Sequence, residues 1–111
     1  MNMPQKKINI DISGHHVDIT PALRTYVEDK FKKIPLHFSN ITNIYVTLTI
    51  EKKYQQIAEA QINLAGTHEP LFANSKSNDM YASIDTLTSK LVRQVQKHKE
   101  QLKDHGDGEL L

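Results

Sequence analysis

Two absences bound what this chain of 111 residues can be. It contains no cysteine, which excludes disulfides, thiol nucleophiles and cysteine-ligated zinc, and no apolar stretch of signal-peptide or membrane-spanning length. Together these absences predict a cytoplasmic, soluble protein of a reducing compartment. We expect neither a membrane partner nor a small-molecule substrate.

The chain also lacks an excess of charge of either sign. Its 14 Lys and Arg residues nearly balance 13 Asp and Glu residues, which leaves a net charge of +1. Bulk charge therefore gives no reason to expect a nucleic-acid partner, and any such case must rest on where the charges lie.

Length and composition favour one domain. With 38% hydrophobic residues, the chain should bury roughly two-thirds of its unfolded surface around a single core. The sequence shows no repeat, linker or low-complexity block. We expect one domain over residues 1–105, followed by a flexible tail over 106–111, where two glycines and two acids occur.

Apolar residues alternate with polar ones in several segments, which predicts β-strands. The strands are expected over Ile8–Ile12, Ile44–Ile50, Ala58–Leu64 and Leu71–Ala73. Because proline cannot donate a backbone hydrogen bond, Pro70 predicts that the last strand lies at a sheet edge.

Helical spacing of apolar residues predicts two helices. The first begins with an N-cap at Thr20 followed by Pro21, continues to Ile34, and ends because Pro35 disfavours helical backbone at the residue before it. The second is capped within residues 77–79, and its apolar stripe continues to Leu102.

The element order predicts an α+β fold, βαβββα, in which a four-stranded mixed sheet carries both helices on one face. The first two strands should be parallel because a helix connects them, and the remaining pairs should be antiparallel. The other face of the sheet should be partly hydrated, with Tyr45, Thr47 and Thr49 on it.

Basic residues of the two helices provide a candidate polyanion surface. At about 100° per residue, Lys90, Arg93 and Lys97 lie within about 60° of one another on the second helix. On the first helix, Lys30 lies nearly in line with the apolar stripe, so its amine must extend out of the helix-packing face. These amines could converge on the groove between the helices and neutralise phosphates, although lysines on helix surfaces are commonly only solvating groups.

The histidine pair His15 and His16 offers the one alternative that would suggest an enzyme or a metal site. Adjacent residues of an extended chain point to opposite faces, and no histidine is followed by another four residues later. Asp18 lies nearby, but a histidine and an acid without a nucleophile do not define a catalytic site. We therefore expect polar loop residues, no catalytic residues, no metal and no cofactor.

Two segments resemble a known family. Residues 78–105, "NDMYASIDTLTSKLVRQVQKHKEQLKDH", and residues 11–34, "DISGHHVDITPALRTYVEDKFKKI", resemble the second helix and the first strand and helix of short ribosome hibernation promoting factors. These belong to the ribosome-associated inhibitor and sigma-54 modulation protein family. The resemblance covers nearly the whole chain and implies a βαβββα fold related to double-stranded-RNA-binding domains.

The resemblance implies a non-enzymatic function. It suggests that the chain binds ribosomal RNA of the small subunit in the channel for messenger and transfer RNA, blocks translation in stationary phase, and promotes paired inactive ribosomes with a separate modulation factor. The implied rRNA-binding residues are Arg24, Lys30, Lys33, Lys90, Arg93, Lys97 and Lys99.

Asp79 and Tyr81 match the "DMY" signature of this family, and we expect Asp79 to cap the helix and Tyr81 to pack through its ring with a polar tip. Two alternatives stay open: an inhibitor that stabilises single inactive ribosomes, and a generic module for structured RNA.

Overall fold

The computed structural model describes residues 9–34, 41–52, 55–66 and 69–110, with the side chains of the last helix described as far as Lys97. Ile8 and Pro35, used in the sequence-based predictions, lie outside these ranges. The elements follow the predicted order: β1 (Asn9–His15), α1 (Pro21–Phe31), β2 (Ile41–Lys52), β3 (Gln55–Leu64), β4 (Leu71–Ser77) and α2 (Met80–Leu110).

The four strands form one mixed sheet in the order β1-β2-β3-β4. β1 is parallel to β2, with Ile10 opposite Ile44, whereas the β2–β3 and β3–β4 pairs are antiparallel. This arrangement confirms the predicted topology. β4 occupies an edge of the sheet, as Pro70 indicated.

The sheet buries one face beneath both helices. Along β2, Ile44, Val46 and Leu48 are buried, while the alternate residue Tyr45 is 40% exposed on the opposite face. Thr47 shares that opposite face and is half-buried. The buried strand residues form one core with the apolar stripes of the helices, which are Leu23, Val27 and Phe31 in α1 and Met80, Ile84, Leu87, Leu91 and Val95 in α2.

The start of α1 agrees with the prediction, and its end does not. Thr20 is the N-cap: its backbone is extended and its hydroxyl accepts a hydrogen bond from the Leu23 amide at 3.1 Å. The helix ends at Phe31, about one turn earlier than its apolar spacing suggested. The Lys33 amide donates a hydrogen bond to the Lys30 carbonyl, three residues earlier, which forms a tighter turn than an α-helix. This turn places Ile34 in the core.

α2 begins directly after a compact turn. The Asp79 carbonyl accepts a hydrogen bond from the Ser83 amide at 3.0 Å, which places Asp79 at the capping position, and the Asp79 amide donates to the Ser77 hydroxyl at 3.2 Å. The bounds of α2 include residues 106–110, and the flexibility expected of that tail stays a prediction. Within the described ranges, neither helix combines the length and apolar character needed to cross a bilayer.

The two adjacent histidines, His15 and His16, lie at the turn that follows β1. His15 is exposed at the end of β1, and His16 adopts a left-handed backbone conformation with φ of 61° that lets the chain reverse. Gly14 is required at this turn, because a Cβ there would overlap the Val17 carbonyl oxygen and press on Ile19. The pair therefore lies at a tight bend.

We predict that Gly14→Ala lowers the free energy of unfolding by about 1–3 kcal/mol, since the added methyl group must displace backbone. Urea denaturation measures the change, and Ser13→Ala, at an exposed neighbouring position of β1, is the control. An unchanged unfolding midpoint in the glycine variant would contradict this account of the turn.

Candidate nucleic-acid interface

An open groove of about 570 Å³ lies between α1 and α2. It contains three cationic side chains and one acidic one, and three of its four other lining residues are of polar type. The lining residues are Lys30, Lys33, Asp85, Thr88, Ser89, Val92, Arg93 and Gln96. Such a surface can contact a polyanion through both charge and hydrogen bonds.

Two pairs of side chains, each spaced by one helical turn, join the helices at this groove. Tyr26 and Lys30 of α1 face Tyr81 and Asp85 of α2, and we call these four residues the interhelical cluster. The aromatic rings meet edge to face, with centroids 4.7 Å apart and planes at 84°. The spacing of four residues places both members of each pair on one helix face.

Asp85 contacts both α1 residues of the cluster, Tyr26 and Lys30. The Tyr26 hydroxyl donates a hydrogen bond to Asp85 Oδ1, and Lys30 Nζ lies 3.2 Å from the same oxygen. Lys30 Nζ also lies 5.5 Å from the centre of the Tyr26 ring. These contacts hold the Lys30 amine at the groove while its side chain stays 36% exposed.

The same contacts shift two pKa values in opposite directions. The hydrogen bond from Tyr26, and then the contacts with Lys30, lower the pKa of Asp85 below its ordinary value of 3.8, although desolvation acts in the other direction. The hydrogen bond to Asp85, followed by desolvation and the nearby carboxylate charges, raises the pKa of Tyr26 from 10.0 to about 12. At neutral pH the cluster therefore contains an ionised carboxylate and a neutral phenol.

The structure brings together three of the seven predicted rRNA-binding residues. Lys30, Lys33 and Arg93 line the groove, and Lys33 reaches it from the turn that follows α1. Arg24 and Lys97 are exposed but are not among the groove-lining residues. The side chain of Lys99 lies outside the part of the chain that the structure describes.

Lys90 contacts a different part of the molecule. Its amine donates to the Asn74 carbonyl of β4 at 2.8 Å, and one turn later Gln94 donates to the Phe72 carbonyl, also at 2.8 Å. Since β4 is an edge strand, these two side chains cover backbone acceptors that would otherwise be open to another strand. Lys90 thus contacts β4, whereas Arg93, about 60° away around α2, lines the groove.

Asp85 is the groove residue that sequence reasoning missed. The predicted interface consisted of basic residues and assigned no role to an acid on the same helix. Its position four residues after Tyr81 was the available signal, because that spacing places it beside the aromatic pair. Ser89 and Gln96 also line the groove and had no distinguishing sequence signal.

The described residues include no group of three or more His, Asp or Glu side chains able to hold a metal ion. His37, His68 and the side chains of His98 and His105 lie outside the described parts of the chain.

Comparison with known proteins identifies relatives across most of the chain. Residues 10–103 match the profile of the family described as sigma 54 modulation protein / S30EA ribosomal protein. The ribosome hibernation promoting factor of Azotobacter vinelandii is 43% identical over 102 residues, which cover 92% of this chain and 92% of that protein.

Solved structures share the fold. The ribosomal subunit interface protein from Coxiella burnetii has a TM-score of 0.76 and 35% identity, covering 84% of this chain and 99% of that one. The N-terminal domain of Protein Y from Thermus thermophilus has a TM-score of 0.74 and 29% identity, covering 82% of this chain and 99% of that one.

We predict that the contribution of Tyr26 to stability disappears at high pH. Because the folded-state pKa is raised, the stabilisation should be complete below the unfolded value near 10 and be lost as the pH rises through about 12. The difference in unfolding free energy between the wild type and Tyr26→Phe measures this contribution of Tyr26. Tyr45→Phe, on the other sheet face, is the control, and a difference that stays constant across this pH range would refute the prediction.

Proposed function

Because the chain belongs to the sigma 54 modulation protein / S30EA ribosomal protein family, we propose that it binds the small ribosomal subunit as a ribosome hibernation factor. Membership confirms the family resemblance of the sequence. It also agrees with the prediction that the chain is not an enzyme, since the matched relatives are named as ribosome factors. On this proposal the protein acts in the cytoplasm.

The groove between α1 and α2 is the observation that carries the proposal. Lys30, Lys33 and Arg93 come from two helices and a turn, yet they line one surface. Cations arranged in this way neutralise neighbouring phosphates and release their counterions, an affinity contribution that decreases steeply with salt. The net charge of +1 makes this local arrangement decisive, because the protein as a whole exerts little long-range attraction.

We propose that the remaining candidate residues contribute around this groove. Arg24 and Lys97 are exposed on the two helices and could contact phosphates beyond its ends. Lys90 keeps two of its three ammonium hydrogens for RNA while donating one to Asn74. Lys99 is proposed on the family resemblance.

We further propose that the bound protein occupies the channel of messenger and transfer RNA in the small subunit, including the decoding and peptidyl positions. Inhibition would then follow from occupancy and would require no chemical reaction. The names of the relatives support this reading, because they describe a hibernation factor and a protein of the ribosomal subunit interface.

The groove should be necessary for this binding. We predict that Lys33→Glu with Arg93→Glu weakens association with small subunits by at least about tenfold, since two charge-assisted contacts become repulsive. Thermal stability should hardly change, because both side chains are exposed. Co-sedimentation across a salt series measures the affinity and its salt dependence.

The matched control is Lys52→Glu with Lys76→Glu, which makes the same charge change at exposed lysines of β2 and β4. Equal losses in both double variants would show that only total charge matters. A generic module for structured RNA would bind an unrelated RNA duplex as tightly as small subunits at the same salt, and that result would replace the ribosome proposal.

Pairing of inactive ribosomes is the second part of the proposal, with a separate modulation factor as the expected partner. We predict that deleting the gene removes the paired-ribosome peak from sucrose gradients of stationary-phase cells and that the wild-type gene restores it, whereas the groove variant does not. A paired-ribosome peak that increases on deletion would instead identify an inhibitor that stabilises single ribosomes.

A further inference from the structure

We propose that Asp85 accepts a hydrogen bond from a ribose 2′-hydroxyl and thereby makes the basic groove selective for RNA. This inference rests on the proposed function, because it assigns a role within the same RNA-binding groove. It starts from an arrangement that phosphate binding alone does not explain: an ionised acid lies among three cations.

A carboxylate in a phosphate-binding groove repels the phosphates that the groove would bind. Phosphate oxygens only accept hydrogen bonds, so each one brought near Asp85 meets a like charge and no donor. The contacts with Tyr26 and Lys30 favour the ionised form, and protonation does not relieve the conflict at neutral pH. A ligand that fits this position must present a hydrogen-bond donor.

The geometry leaves room for such a donor. Tyr26 and Lys30 both contact Oδ1 of Asp85, and no other described residue donates to its second carboxylate oxygen, Oδ2. The side chain is 49% exposed and lines the groove. Asp85 is therefore held in place by one oxygen and can accept a hydrogen bond through the other.

The ribose hydroxyl is the donor that a phosphate-binding groove meets regardless of sequence. Each 2′-hydroxyl lies on the same backbone as the phosphates, and it distinguishes RNA from DNA. Lys30 lies beside Asp85, and Lys33 and Arg93 complete the cationic lining. The groove thus offers cations for phosphates and one fixed acceptor for the sugar between them.

The test compares an RNA hairpin with the same hairpin carrying 2′-O-methyl groups, which keeps the bases, phosphates and A-form geometry but removes the hydroxyl donor. We expect the wild-type protein to bind the unmodified hairpin about tenfold more tightly, the worth of one hydrogen bond to a charged group. Equal affinity of the wild type for both hairpins overturns the proposal without any variant.

Asp85→Asn identifies the residue responsible. The amide oxygen can still accept from Tyr26, but an N–H₂ donor replaces the second carboxylate oxygen. We expect this variant to bind the methylated hairpin more tightly than the wild type does. The ratio of its affinities for the two hairpins should fall to about one. Melting temperature checks the fold, and Asp11→Asn, an exposed acid of β1, controls for the lost negative charge.

Tyr45→Phe, on the other face of the sheet, provides a second variant, because it leaves Asp85 and its contacts in place and should keep the preference for the unmodified hairpin. If Asp85→Asn increases the affinity for both hairpins by the same factor, Asp85 only repels the phosphates of the RNA. That outcome overturns the inference. Ribosome binding is measured in parallel: failure of the wild type to bind small subunits refutes the proposed function, whereas loss of the hairpin difference alone refutes only the role of Asp85.

Discussion

Burial of only one face of the sheet is the constraint on which the rest of this molecule depends. In the central part of β2, residues 44–49, and in residues 57–64 of β3, buried apolar residues alternate with more exposed ones, so both helices must pack on the same side. Two helices that share one face lie side by side and form a groove between them. The candidate interface is therefore a consequence of how the core is built.

The groove depends on local arrangement, because the chain is nearly neutral. Asp85 links the helices through Tyr26 and Lys30 while keeping the Lys30 amine partly exposed. The cluster stabilises the helix pair only modestly, since exposed ion pairs contribute little in water. Its larger effect is positional: it defines where a positive charge and a negative charge stand along the groove. α2 meanwhile covers the edge of β4 through Lys90 and Gln94.

Much of the fold could be predicted because local and tertiary preferences agree. Alternation in β2, the Thr20 cap and the edge position implied by Pro70 all appear in the structure. The end of α1 could not be placed from periodicity, because Ile34 is buried although the helix stops at Phe31. A buried residue in a tight turn continues the apolar spacing and so imitates a further helical turn.

The sequence by itself determined the elements, their order, the buried face and the family, because these follow from apolar periodicity, capping residues and motifs along the chain. Only the tertiary structure decided which charges meet. Helical angles grouped Lys90 with Arg93, yet Lys90 contacts β4, whereas Arg93 lines the groove together with Lys33 and Asp85. The physical reason is that an angle on one helix says nothing about which neighbouring element that angle faces.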